Sequence, residues 1–181
     1  LGHEQIHVAG HSLGGMIGPA YARANPERVL SVGLLSTAAG RTEEDRAKLR
    51  AVGETMERQG IAESLPTFVS RWFTDAFIDA HPDLIEARLQ QVRDTPAEVF
   101  LNVFWIYATT EMGPWLHEIE CPCLVLTGEL DGGCNPRLNR FIHEQLPDSR
   151  LVIIDGIKHS LLMEASHLAL PHIRNFLLQQ E

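Results

Sequence analysis

Ile6-His7-Val8-Ala9-Gly10-His11-Ser12-Leu13-Gly14-Gly15 decides how the rest of the chain is read. The short run Ile6 to Ala9 has the character of a buried strand, and Gly-x-Ser-x-Gly follows it at once. Small residues then lead into a helical stretch, Met16 to Ala24. Strand, sharp turn and helix is the setting in which this pattern carries chemistry, because the turn holds a serine strained and exposed at the top of a sheet. A Cβ at Gly10 or at Gly14 is expected to collide with the neighbouring strand or helix. Ser12 is therefore the candidate nucleophile.

Working outward, Asn25-Pro26 stops the helix, and Pro19 inside it should kink it. Val29 to Leu35 is an apolar run that reads as a buried parallel strand, so the first forty residues form a strand–helix–strand unit. From Arg41 to about Trp115 strand signals vanish and helical ones follow one another. Thr42 can cap a helix with Leu49, Val52 and Met56 inward, and Leu65 to Phe73 carries aromatic residues at helical spacing. Pro82 looks like the first residue of another helix, and Thr95-Pro96-Ala97-Glu98 reads as a capping box. The helix it opens shows Phe100, Val103, Phe104 and Tyr107 on one face, widened by Trp105 and Ile106. Such an all-helical stretch between strands has the build of a lid.

Strands resume at Cys123 to Thr127, ending in Gly128-Glu129-Leu130-Asp131-Gly132-Gly133-Cys134. Asn135-Pro136 caps and opens a helix with Leu138, Phe141, Ile142 and Leu146 inward. Leu151 to Ile154 is the last strand, followed by Asp155-Gly156-Ile157-Lys158-His159 and a closing helix presenting Leu170, Ile173 and Leu177. The division is thus a core part at 1–40, a helical lid at 41–117 and a second core part at 118–181. The fold class is α/β, a parallel sheet flanked by helices.

Composition excludes several classes. A net charge of −9 over 181 residues, with no basic block, argues against nucleic acid or an anionic membrane surface as partner. The longest apolar stretch, Val99 to Ala108, is too short to span a bilayer. Three cysteines make no disulfide framework and fit a reduced, cytoplasmic compartment. Cys121-Pro-Cys123 lacks a companion pair, so no metal is expected, and nothing asks for a cofactor.

In an open parallel sheet the loops at the carboxyl ends of the strands converge on one crevice. Ser12, Asp131 and His159 each follow a strand, far apart in sequence and on one rim in space. A serine hydroxyl needs a base, an imidazole can take the proton and return it, and a carboxylate fixes the ring's tautomer. The Leu13 N–H, at the start of the helix, can point at a developing oxyanion. His11 flanks the serine and shapes the pocket. For the acid, Glu129 and Asp155 are the rivals of Asp131, and Glu164 reads as a local tie near His159.

Gly10-His11-Ser12-Leu13-Gly14-Gly15-Met16, the Gly128 to Asp131 loop with Pro136, and Gly156-Ile157-Lys158-His159 with Glu164 resemble the α/β-hydrolase family. Arg71-Trp72-Phe73-Thr74, with Phe77 and His81-Pro82, is similar to the 3-oxoadipate enol-lactonases. Asp131-Gly132-Gly133-Cys134-Asn135-Pro136 departs from the Asp-x-x-Thr-Pro usual there. The resemblance implies that Arg71 can meet a substrate carboxylate, and the lid residues Trp72, Phe73, Phe104 and Trp105 are read as lining an apolar pocket. The bland reading of those rings is lid core, and of Arg71 a solvated surface.

The resemblance also implies early strands and a second oxyanion donor before the elbow, and only eleven residues precede Ser12. A partial α/β-hydrolase fold is therefore expected, its N-terminal strands missing and its first strand an apolar edge open to self-association. Loss of one oxyanion donor costs about 10²–10³ in rate, so weak activity is expected of this chain. The expected activity is hydrolysis of a small carboxylic ester or lactone, a small-molecule substrate, through an acyl-enzyme. Carbon–carbon bond hydrolysis and cofactor-free perhydrolysis use the same three residues. A non-catalytic module, or a half that works only with an N-terminal segment, is the alternative class.

Overall fold

The computed structural model describes residues 2–179, and its elements alternate as the periodicity of the chain demands. Strand β1 (Ile6–His11) leads into helix α1 (Gly14–Ala24) and strand β2 (Val29–Leu35). Five helices follow: α2 (Glu43–Gln59), α3 (Leu65–Trp72), α4 (Asp75–Ala80), α5 (Pro82–Asp94) and α6 (Ala97–Thr109). Then come β3 (Cys123–Gly128), α7 (Pro136–Gln145), β4 (Ser149–Ile154), the single turn α8 (Leu161–Glu164) and α9 (Ser166–Leu178).

The strands form one parallel sheet in the order β1-β2-β3-β4. His11 lies beside Leu35, Leu35 beside Leu126, and Leu126 beside Val152, so all four carboxyl ends reach the same rim. Every residue of β3 is buried, and β2 nearly so, because central parallel strands are covered on both faces. On one side Leu35, Leu124, Leu126 and Ile154 pack with Leu161, Ala169 and Phe176. The closing helix meets that core along Ala169, Ile173, Phe176 and Leu177. Leu170, expected inward, is 56% exposed, since the small Ala169 sets the stripe and Leu170 stands about 100° round from it. Pro19 and Pro171 both lie inside helices that continue past them.

Two compact units divide the chain: Leu1–Gly40 with Glu111–Glu181, and Arg41–Thr110. The stretch from Glu111, read from sequence as the end of the lid, is tied to the sheet-bearing unit. The Glu111 carboxylate accepts from the N–H groups of Gly40 (2.9 Å) and Gly113 (3.0 Å), and Met112 and Leu116 are fully buried.

The helical unit opens on a capping box. Thr42 Oγ1 accepts from the Asp45 N–H at 3.2 Å, and Asp45 accepts from the Thr42 N–H at 2.8 Å. Its core is Met56, Leu65, Phe68 and Val92, with Trp72, Phe100 and Phe104 packed against them. The second expected capping box, at Thr95, does not form. The Thr95 hydroxyl instead donates to the Gln91 carbonyl at 2.8 Å, satisfying a carbonyl of the last turn of α5, and α6 starts after Pro96 with no side-chain cap. Val103, expected on the inner face of α6, is 45% exposed. No helix among the described residues is long and apolar enough to cross a membrane.

Candidate active site

The elbow is built by the end of β1 and the start of α1. Ser12 has φ 57°, in the left-handed region that costs a non-glycine residue about 1–3 kcal/mol. Its N–H donates to the Leu35 carbonyl at 2.8 Å, so the sheet ladder runs up to the serine before the chain turns. Leu13 is the residue before α1, and its carbonyl already accepts from Met16 (2.9 Å) and Ile17 (3.1 Å). Its N–H therefore stands at the positive end of the helix. A Cβ at Gly10 would overlap the Gly14 carbonyl, as expected. At Gly14 the expectation fails, because a Cβ there meets nothing within 4 Å. The close approach belongs to Gly15, where a Cβ would stand 2.7 Å from the Thr37 Cβ in the segment after β2.

Asp131 and His159 are brought together from the loops after β3 and β4. His159 Nδ1 lies 2.7 Å from Asp131 Oδ2. The carboxylate is 1% exposed and the histidine side chain 16%. The loops meet closely at Gly128, where a Cβ would overlap the Ile157 carbonyl, and Leu130 N–H donates to that carbonyl at 2.9 Å. Asp131 Oδ1 accepts from the N–H groups of Gly133 (2.9 Å) and Cys134 (2.8 Å). Burial alone would raise this acid's pKa. The His159 hydrogen bond and charge, with the two N–H groups, outweigh it and hold the carboxyl below its ordinary 3.8.

Burial likewise disfavours charge on His159, but the hydrogen bonds to Asp131 and Cys134 overcome it and raise the ring from 6.5 to about 10. An ionised carboxylate only accepts, so the Nδ1 proton points at Asp131, and in the neutral ring Nε2 carries the lone pair. His11 Nε2 lies 2.8 Å from the His159 carbonyl, which also only accepts, and the two rings are 4.8 Å apart between centroids. The residue preceding Ser12 is thereby bonded to the backbone of His159. Its ring, expected to shape a pocket, makes this bond beside the ring of His159.

The rivals for the acid are elsewhere. Glu129 is exposed and accepts from the Gly156 N–H at 2.9 Å, and Asp155 is exposed. Glu164 lies on α8, half-buried. Arg71, Trp72 and Trp105 belong to the helical unit. Arg71 is exposed; Trp72 stacks on Phe68 at 5.3 Å, with Arg88 over its ring. Trp105 Nε1 donates to Glu57 at 2.7 Å, and Phe73, 1% exposed, stacks on Phe77. Trp72 and Phe104 pack against the Met56, Leu65, Phe68 and Val92 core of that unit.

Asp131, Cys134 and His159 offer three metal-ligating atoms within 4.8 Å of one another, the one such group among the described residues. Asp131 and the His159 Nδ1 are already spent on each other and on the loop N–H groups. Among the described residues Cys121, Cys123 and Cys134 form no disulfide, and Cys123 Sγ donates to the Cys121 carbonyl at 3.3 Å.

Sequence reasoning missed the polar residues that support the acid. Thr127 and Asn139 are fully buried, and both donate to the Cys134 carbonyl, at 2.8 and 2.7 Å. The signal was present: Thr127 interrupts an otherwise apolar central strand, and Asn139 sits within the apolar stripe of α7, between Leu138 and Ile142. Ser36, with φ 43° at the end of β2, was missed as well.

The chain is 30% identical over 172 residues to 3-oxoadipate enol-lactonase 2 of Acinetobacter baylyi, covering 93% of this chain and 60% of that protein. The crystal structure of the enol-lactonase from Burkholderia xenovorans superposes with a TM-score of 0.86 at 20% identity, covering 97% of this chain and 66% of that one. A thermophilic esterase from Thermogutta terrifontis, solved with malate bound, gives 0.82 at 26% identity, with 98% and 66% covered. The chain thus spans about 60% of the length of the curated relatives it matches. Residues 2–166 match the family model Hydrolase_4, "Serine aminopeptidase, S33", and with its α/β-hydrolase fold the chain belongs to that family.

Proposed function

We propose that this chain carries the nucleophile, base and acid of a serine hydrolase that cleaves a small carboxylic ester or lactone through an acyl-enzyme. The observation that carries the reading is the 2.7 Å bond between a buried Asp131 and His159, on the rim where Ser12 stands in a left-handed turn. Ser12 Oγ attacks the acyl carbon as His159 Nε2 takes its proton. Asp131 stabilises the imidazolium, and the Leu13 N–H meets the oxyanion. His159 then gives the proton to the leaving alkoxide, and water activated by the same nitrogen frees the acid. Among the relatives, a 3-oxoadipate enol-lactonase and an esterase support an ester or lactone as substrate.

A fluorophosphonate probe with mass mapping tests this. Labelling at Ser12 that disappears in His159→Ala is the expected result. Labelling elsewhere, or labelling of Ser12 that persists at full rate without His159, overturns it.

A further inference from the structure

We propose that Asn139 and Thr127 are positioning residues for the acid–base pair, and that Asn139 sets the spacing between the acid loop and the nucleophile side. The inference rests on the proposed roles of Ser12, Asp131 and His159. Four fully buried groups carry it. The Cys134 carbonyl accepts from Thr127 Oγ1 at 2.8 Å and from Asn139 Nδ2 at 2.7 Å, so both its lone pairs are used. The Cys134 N–H donates to Asp131 Oδ1, whose other oxygen holds His159. The backbone of one residue is therefore gripped on its carbonyl side by β3 and α7, and on its N–H side it holds the carboxylate.

The second N–H of the same Asn139 amide donates to the Thr37 carbonyl at 3.0 Å. Thr37 is the residue against which Gly15 of the elbow helix packs. One side chain thus ties the segment behind the serine to the loop that holds the acid. The value of such a tie is geometric, since a misplacement of about 1 Å at such a site costs about 10²-fold in rate.

The test uses the whole chain and two readouts. The first is the low-field proton resonance of the His159 Nδ1–H held by Asp131, which needs no turnover. The second is kcat and KM on an activated ester across pH. Thr127→Val removes one donor at constant shape, and it should shift or broaden the low-field resonance and lower kcat about fivefold with KM held. Thr127→Ser restores the hydroxyl and should restore both. Asn139→Ala should lower kcat about 10²-fold and lose the resonance while circular dichroism stays native. If Asn139→Ala fails to fold, the Thr127 pair decides. An unchanged resonance in Thr127→Val, or failure of Thr127→Ser to recover it, overturns the inference. If the parent chain shows the resonance but no ester turnover, the proposed activity fails while the positioning roles remain tested by the resonance alone. A parent chain without the resonance refutes the positioning roles.

Discussion

Asp131→Asn isolates the electrostatics of the pair without emptying the loop. The asparagine Oδ1 can keep the two bonds from Gly133 and Cys134, while its Nδ2 replaces the oxygen that faces His159. A histidine raised from 6.5 to about 10 has its charged form favoured by about 5 kcal/mol more in the folded protein than in the unfolded chain. With the ring only 16% exposed, solvent screens little of this. Breaking a buried pair by removing one charge costs about 3–5 kcal/mol on general grounds, the same magnitude. The sign follows from linkage. A raised histidine pKa stabilises the fold fully below 6.5, as long as Asp131 stays ionised, and the contribution is lost as pH rises through about 10. Urea denaturation followed by circular dichroism should show the variant about 3–5 kcal/mol less stable near pH 6. Near pH 10.5 the deficit should shrink to about 1 kcal/mol, the worth of a neutral hydrogen bond. A deficit below about 1 kcal/mol near pH 6, or one that does not change with pH, refutes the assignment of a buried ion pair.

The acid limb of the kcat/KM profile should lie above 6.5 and toward 10, because the base must shed its proton before it can take one from Ser12; a limb at or below 6.5 contradicts the pairing. Gly10→Ala should cost about 3 kcal/mol or more through overlap with the Gly14 carbonyl. Gly14→Ala, facing open space at the start of a helix, should stay within about 1 kcal/mol of the parent or exceed it; equal losses in urea titrations would refute the contrast. Gly53→Ala puts a methyl against the Trp105 ring and should destabilise the helical unit by about 1–3 kcal/mol in thermal unfolding, with a change in tryptophan emission. Unchanged emission and melting would mean the ring is not seated on α2.

The strands were legible because a central parallel strand has no room for a polar residue on either face, and Val29–Leu35 and Cys123–Gly128 obey that rule almost without exception. The caps at Thr42 and Asn135 were legible for a comparable reason, since the side chain and the orphan N–H it serves lie three residues apart. Thr95 shows the limit of that reasoning: its sequence offers a capping box, but the end of α5 competes for the same hydroxyl, and only the fold decides which carbonyl or N–H is nearer. Gly14 and Leu170 failed similarly, because what a Cβ meets depends on a segment distant in sequence. The parts of the site that chemistry must supply, a hydroxyl, an imidazole and a carboxylate after strand ends, could be named from residue type and order. The parts that hold them could not, because Thr127, Cys134, Asn139 and Thr37 act through carbonyls and N–H groups that every residue possesses. What a sequence can offer for such supports is the anomaly they leave behind, a polar residue where the pattern asks for an apolar one. In this chain both of the anomalies noted, Thr127 in β3 and Asn139 in α7, end on the same Cys134 carbonyl. Two interruptions in separate elements that converge on one acceptor beside the acid are more economically explained by the acid's geometry than by two unrelated accidents of packing.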